Sequence, residues 1–212
     1  MIDDYIKLQE LVGNSIDAPG KGGNISVKSD GTMIIKASGQ DLKNPHHFAS
    51  TISHGQFDIK PSMEVKMHEN IKSKYVVHYH PVYVLPFLCS DYEFDIGETL
   101  DYYAPGDELA EAISNTTNNI VFLRNHGVVI HAETIEEIKQ LYGIIKKKFF
   151  IESQKMYTPD DVIDSNSTEL WLFREYIRMS AEIKGLKLNH LDDDQQHSLK
   201  TDPNEIFRKE QM

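Results

Sequence analysis

Apolar and polar positions follow two periods along this chain, and the switches between them mark the elements. Asp3 to Val12 reads as a short helix that stops at Gly13-Asn14, before Pro19-Gly20-Lys21-Gly22-Gly23 imposes a loop. Ile25-Ser26-Val27-Lys28 and Met33-Ile34-Ile35-Lys36 flank Ser29-Asp30-Gly31, which predicts two strands joined as a hairpin. Between Ala37 and Ser62 the chain is polar and broken by Gly39, Pro45, Gly55 and Pro61, so loop is expected there, with one brief strand near Phe57-Asp58-Ile59. Ser62 then precedes Met63, Val65, Met67 and Ile71, with Glu64 and His68 between them, which predicts an N-capped helix running to about Lys74. Tyr75-Val76-Val77-His78-Tyr79-His80 has the β-branched and aromatic content of a buried strand that Pro81 ends, and a helix is expected through Leu88. Beyond an acidic linker containing Pro105-Gly106, Asp107 is predicted to cap a helix over Leu109 to Ile113. Asn119 to Leu123 and Val128 to His131 read as strands around Asn125-His126-Gly127. The longest predicted helix, Thr134 to Ile151, opens on a capping box of Thr134 and Glu137. Glu169 to Ile183 is amphipathic and carries the single tryptophan, Trp171, whereas residues 189–212 are strongly polar.

Strands alternating with helices predict a layered α/β domain, and the early hairpin argues against a purely parallel sheet. The expected fold is therefore a single layered domain over residues 1–188, with a mixed, largely antiparallel central sheet flanked by helices. Residues 189–212 are expected to form a polar tail, flexible or docked on a neighbouring subunit. A chain of 212 residues with 40% hydrophobic and 26% charged residues can bury one sizeable core. Its net charge of -11 opposes nucleic acid and anionic membranes, and Lys146-Lys147-Lys148 sits in a helical pattern where it reads as a solvated face. An anionic substrate would need local cationic or backbone donors. No apolar run has the length of a signal peptide or a bilayer span, so the cytoplasm is the expected location. Ten histidines against one cysteine, Cys89, point any metal site toward imidazole and carboxylate ligands.

Residues two apart in a strand share a face, so His78 and His80 can aim both imidazoles into one pocket while Tyr79 points away. The same pattern also serves core or surface histidines. His126 lies at a sharp turn between two apolar runs, from which a side chain can reach the sheet edge, although Asn-His-Gly is also a common turn sequence. Three imidazoles with an open position are a standard arrangement for catalytic zinc. Glu64, near a helix start, fits a base or a fourth ligand, and equally an ordinary first-turn glutamate complementing the dipole. His68, one turn later on the same face, reads as a structural hydrogen-bond partner. Gly22-Gly23-Asn24-Ile25-Ser26 and Ser38-Gly39 offer backbone and side-chain donors for a phosphate or carboxylate, or simply turns, with Lys21 either supplying charge or facing solvent.

Together these motifs resemble the class II aldolase/adducin family: Gly23-Asn24-Ile25-Ser26, Ala37-Ser38-Gly39, Pro61-Ser62-Met63-Glu64 with His68, Val77-His78-Tyr79-His80-Pro81, Pro105-Gly106 and Asn125-His126-Gly127, in order over about Tyr5 to Ile151. The resemblance implies zinc, or another divalent transition metal, on His78, His80, His126 and Glu64, with Glu64 also the acid/base. It implies that Gly23, Asn24, Ser38, Gly39 and Ser62 bind the substrate and its phosphate, and it implies a homotetramer with sites at subunit interfaces, while the net charge leaves no nucleic-acid or membrane partner expected. The implied activity is retro-aldol cleavage of a small ketose or ketose phosphate through a metal-stabilised enediolate. The same apparatus serves epimerases, dehydratases and decarboxylases, and the adducin heads keep the fold as an assembly module. Two departures stand out. Met63 replaces the second serine that sugar-phosphate aldolases place before the glutamate, and the connection from Cys89 to Tyr102 is short where those enzymes carry a catalytic tyrosine.

Overall fold

The computed structural model describes residues 1–44, 48–53, 56–151, 155–158, 162, 167–203 and 206, so the expected breaks at Pro45 and Gly55 lie outside the described residues. The chain divides into two compact units, Met1–Phe150 and Ile151–Met212, and the expected domain 1–188 runs across that division.

The first unit is built on a sheet of eight strands in the order β4-β3-β2-β1-β5-β8-β7-β6. The strands are β1 (Asn24–Ser29), β2 (Thr32–Lys36), β3 (Phe48–Ser53), β4 (Gln56–Phe57), β5 (Tyr75–Tyr79), β6 (Glu98–Leu100), β7 (Ile120–Leu123) and β8 (Gly127–Ala132). Neighbours pair antiparallel except β6 and β7, which run parallel, so the sheet is mixed and largely antiparallel as expected. The predicted first hairpin forms, with Asp30 and Gly31 at φ 50° and 76° closing the Ser29↔Thr32 pair. Positive φ at both central residues is the turn geometry that matches strand twist.

Two strands were not anticipated. β3 pairs with β2 inside the stretch read as loop, and β6 lies in the acidic linker. Phe48-Ala49-Ser50-Thr51-Ile52-Ser53 is rich in serine and threonine, and Glu98-Thr99-Leu100 is short. Both lie toward a sheet edge, where backbone hydrogen bonds rather than two apolar faces hold a strand in place.

Helices cover both faces. On one, α2 (Val65–Asn70) and α4 (Asp107–Ile113) pack Met67, Ile71, Leu109, Ala110 and Ile113 against Val76, Val121, Leu123 and Val129. On the other, α1 (Ile2–Val12) and α5 (Ile135–Phe149) bring Leu8, Val12, Ile138, Tyr142 and Ile145, and Phe94 stacks on Phe122 with centroids 4.0 Å apart beside Phe149. Each fully buried side chain of this kind stabilises the fold by roughly 1.5–3 kcal/mol. A short helix α3 (Leu85–Leu88) follows β5, and Arg124 donates to the carbonyls of Phe87, Ser90 and Tyr92, fixing the chain after it.

The predicted capping box of α5 is present: Thr134 Oγ1 accepts from the Glu137 backbone and Glu137 Oε2 accepts from the Thr134 backbone. Two other caps differ from expectation. α2 begins three residues after Ser62, whose buried Oγ accepts from Asn24 and from the Glu64 N–H rather than from the first turn of the helix, and α2 ends at Asn70. Gly106, at φ 121°, rather than Asp107 occupies the cap of α4.

In the second unit α6 (Thr168–Lys184) starts with Ser167 Oγ accepting from the Leu170 backbone and ends on Gly185 at φ 62°. α7 (Asp193–Thr201) is capped reciprocally by Asp192 and Gln195 and has no buried residue, so part of the expected polar tail is helical, while residues 204–205 and 207–212 lie outside the described residues. Among the described residues no helix is long and apolar enough to cross a membrane.

Leu109→Ala should destabilise the first unit by about 2–5 kcal/mol, since it opens a cavity between α4 and the sheet. Thr134→Ala should cost only about 1 kcal/mol through loss of the cap. Urea denaturation monitored by far-ultraviolet circular dichroism checks the order of the two.

Candidate metal centre

Strand register brings the predicted residues together. β5 lies between β1 and β8, with Asn24 opposite His78 on one side and Val129 opposite His78 on the other. Those three side chains therefore share the face covered by α2, and Tyr79 turns to the opposite face toward Tyr142. His80 follows the end of β5, where its backbone N–H donates to the Asp17 carbonyl at 2.9 Å. Asp17 is itself anchored, its carboxylate accepting from Tyr83, Tyr142 and Asn14, each at 2.8 Å. His126 is placed by the β7–β8 turn, where Asn125 has φ 54° and the His126 N–H donates to Leu123 O.

One ring nitrogen of each of His78, His80 and His126 lies within 4.8 Å of the others. His78 and His80 approach Nε2 to Nε2 at 3.0 Å. Because His78 Nδ1–H donates to Val128 O at 3.1 Å, its Nε2 carries a lone pair into the cluster. Burial pushes all three imidazoles below the ordinary histidine pKa, and neighbouring imidazoles add to the effect on His78 and on His80, which falls in all to about 3. They are neutral, which is the ligand form. Two glycines make the space. A Cβ on Gly22 would stand 2.6 Å from His80 Nδ1, and one on Gly127 would stand 2.6 Å from His80 Cδ2 and 3.1 Å from His78 Cε1.

Glu64 closes the cluster from the start of α2. Its Oε1 lies 3.3 Å from His126 Nε2 and its Oε2 3.5 Å from His78 Nε2. Glu64 Oε1 makes no hydrogen bond, and His126 Nδ1, on the other side of the ring from the approaching Nε2, is likewise buried without one. A buried carboxylate whose Oε2 stands 3.5 Å from the His78 Nε2 lone pair and whose Oε1 has no hydrogen bond is costly unless a cation joins them. Three imidazoles around one zinc at about 2.0–2.1 Å stand about 3.3 Å apart, so the observed cluster fits a divalent transition metal with little rearrangement.

A second layer of hydrogen bonds orients Glu64. His68 is fully buried and its pKa falls to about 3, mainly through burial. Its Nε2–H donates to Asn24 Oδ1, and its Nδ1 accepts from Ser26 Oγ at 2.7 Å. With its oxygen so engaged, Asn24 must present Nδ2, which donates to Glu64 Oε2 at 2.7 Å and to Ser62 Oγ at 3.1 Å. The reading of His68 as a hydrogen-bond partner near the site matches this geometry. Its two partners come from β1, about forty positions away, where helical spacing could not point.

A cavity of about 220 Å³ opens over the cluster, with Gly23, Ser38, Gly39 and Ser62 at its wall beside Met63 and Lys36. All the expected anion-binding residues thus border one space, although the Asn24 amide is already committed to Glu64 and Ser62. Lys36 was not singled out in the sequence, and the signal was slight: a lysine ending an apolar strand ordinarily reaches solvent. A wider cleft of about 510 Å³ lies at the far end of β1, around Lys28, Asp30 and Lys72, and contains none of the cluster.

Similarity to known proteins agrees with this arrangement. The family described as class II aldolase and adducin N-terminal domain matches residues 8–149. A curated relative, L-fuculose phosphate aldolase of Methanococcus maripaludis, is 26% identical over 176 residues, covering 68% of this chain and 96% of its own. Among solved structures, the L-fuculose-1-phosphate aldolase of Thermus thermophilus superposes with a TM-score of 0.55 at 18% identity, covering 69% of this chain and 90% of that one. The sugar-phosphate aldolase of Thermotoga maritima gives 0.57 at 16%, covering 68% and 91%. At those identities the structural likeness speaks for the fold.

In chelator-treated protein, nitrogen-15 NMR should show His68 as the neutral Nε2–H tautomer until the pH approaches 3. The folded pKa lies below the unfolded value of about 6.5, so the unfolded chain binds protons that the folded chain excludes. Stability should therefore fall as pH drops below about 6.5 and the loss from this group should level off near pH 3. A His68 titrating near pH 6.5 in the folded protein would contradict the network.

Proposed function

Because the chain belongs to the class II aldolase and adducin N-terminal domain family, we propose that it is a metal-dependent carbon–carbon lyase that cleaves a small ketose or ketose phosphate by a retro-aldol reaction. The observation that carries this reading is the convergence of three neutral imidazoles and the Glu64 carboxylate beneath one cavity. His78, His80, His126 and Glu64 would hold zinc or a related divalent ion. Such an ion supplies a Lewis acid to the carbonyl and adjacent hydroxyl oxygens of a ketose, lowering the cost of the charge left when the carbon–carbon bond breaks.

The chain's own residues do the rest. Glu64 moves the proton at the carbon that loses its substituent, and it is the carboxylate facing the cavity beside His80 and His126. Asn24 holds one Glu64 oxygen in place, and His68 fixes which end of the Asn24 amide does so. Ser38, Gly39 and Ser62 offer donors at the wall for the distal end of the substrate. Met63, 65% exposed at the rim, brings no donor there. The names of the curated relatives support cleavage over the epimerase, dehydratase and decarboxylase alternatives. The intact donor set supports an enzyme over an adducin-like assembly module, since a scaffold has no physical need of it. The proposal includes a cytoplasmic location and the homotetramer found in this family.

Screening ketoses with and without phosphate for aldehyde release tests the reading. His78→Ala should abolish turnover while keeping the wild-type circular dichroism spectrum, and Glu64→Gln should lower kcat by about 10²–10⁴-fold. Undiminished turnover in His78→Ala would sink the assignment.

A further inference from the structure

His78 is fixed by the sheet and His126 by the turn between β7 and β8, whereas His80 lies just past the end of β5. β1 pairs with β5 only as far as Asn24↔His78 and β8 only as far as Val128↔Tyr79, and Pro81 has no N–H with which to extend either ladder. The segment from Asn14 to Ala18 takes over where the sheet ends: His80 N–H donates to Asp17 O at 2.9 Å and Val82 N–H donates to Ile16 O at 2.8 Å. The His80 ring is gripped between two backbones, since a Cβ on Gly22 or on Gly127 would stand 2.6 Å from it. In so narrow a slot the direction of the imidazole follows from its backbone, and the backbone is held by Asp17.

Asp17 is 1% exposed, and its carboxylate is fixed at both oxygens. Oδ1 accepts from the Tyr83 hydroxyl, and Oδ2 accepts from the Tyr142 hydroxyl and from Asn14 Nδ2, each at 2.8 Å. Burial, with the facing carboxylate adding to it, holds both hydroxyls far above the ordinary tyrosine range, so both remain donors. Lys146 Nζ donates to the Tyr142 hydroxyl at 3.1 Å, which polarises that hydroxyl toward Asp17 and offers the buried carboxylate a positive charge at one remove. Asn14 Oδ1 in turn accepts from the N–H groups of Ile16 and Asp17, each at 3.0 Å, and closes the segment on itself. None of Asp17, Tyr83, Tyr142 and Lys146 borders the cavity over the imidazoles.

We propose that Asp17 is a positioning residue of the metal centre: by fixing the carbonyl that receives the His80 N–H, it aims that imidazole and sets how tightly the chain holds its metal. The inference rests on the reading of His78, His80, His126 and Glu64 as metal ligands. Their donor atoms already converge, so affinity depends on how little they must reorganise. A His80 free to swing would have to be ordered anew each time a metal bound, and a buried carboxylate held by three donors removes that freedom in advance.

Three measurements on the full chain test this: zinc affinity by competition with a chromophoric chelator, coordination by the visible spectrum of the cobalt-substituted protein, and amide hydrogen exchange after chelator treatment. Asp17→Ala should weaken zinc binding by about 10–100-fold, the range typical of groups that orient a ligand, and should alter the cobalt spectrum. It should also open the His80 and Val82 amides to exchange while those of β5 stay protected. Val27→Ala opens a cavity at the opposite end of β1 and serves as the control, with zinc affinity expected within about twofold of wild type. The proposal is overturned by Asp17→Ala binding zinc within about twofold of wild type, by an unaltered cobalt spectrum, by a His80 amide that stays protected, or by an equal loss in Val27→Ala. If Asp17→Ala does not fold, Tyr83→Phe decides, since it removes one donor to the carboxylate and keeps the ring. It should weaken zinc at least about threefold and speed exchange at His80, and a wild-type value of either overturns the proposal. A wild-type chain that binds no zinc would overturn the metal-centre reading, and this proposal with it.

Discussion

The pairing of β5 between β1 and β8 is the constraint on which the site depends. Asn24, His78 and Val129 stand abreast across three strands, and two-residue alternation then assigns every neighbour to a face. Val76, two residues before His78, goes into the apolar layer under α2 and α4, while Tyr79 goes to the α5 face. A slip of one residue would send His78 to the wrong side and bring Val77 and Tyr79 under α2. The apolar half of β5 therefore holds the register that the polar end exploits, and hydrophobic burial is translated into the position of an imidazole.

The same sheet supplies the energetic tension of the site. Three imidazoles and a carboxylate are withdrawn from water at one end of the core, and burial keeps the imidazoles neutral. A chain of side-chain hydrogen bonds from Ser26 through His68 and Asn24 to Glu64 satisfies the polar atoms behind the cluster, while Glu64 Oε1, which faces His126, stays without a hydrogen bond. The rear of the site is thus rigid and complete, and its front is arranged for a group that brings positive charge. Gly22 and Gly127 let the rings crowd together, since a methyl group at either position would collide with His80.

Much of this was legible in the sequence because the relevant signals are local. His78 and His80 are two apart in an apolar run, the Asn125-His126-Gly127 turn sits between two apolar strands, and the Asp30-Gly31 turn announces its hairpin. What spacing could not show came from edges and from distant contacts. β3 and β6 carry too little apolar alternation to stand out, since each sits toward an edge of the sheet. Ser62 looked like a helix cap, but tertiary contact with Asn24 draws it inward and α2 starts at Val65. Lys36 was not singled out in the sequence, and only the carbonyls of Lys21 and Gln40, brought in by two loops, hold its side chain buried beside the cavity.

The central claim is that His78, His80 and His126 with Glu64 form a metal centre, and elemental mass spectrometry on the purified full-length chain tests it most directly. About one divalent transition-metal ion per chain is predicted, lost on His126→Ala substitution while the circular dichroism spectrum is retained. Negligible metal in wild type even after reconstitution, or equal metal in His126→Ala, would contradict it.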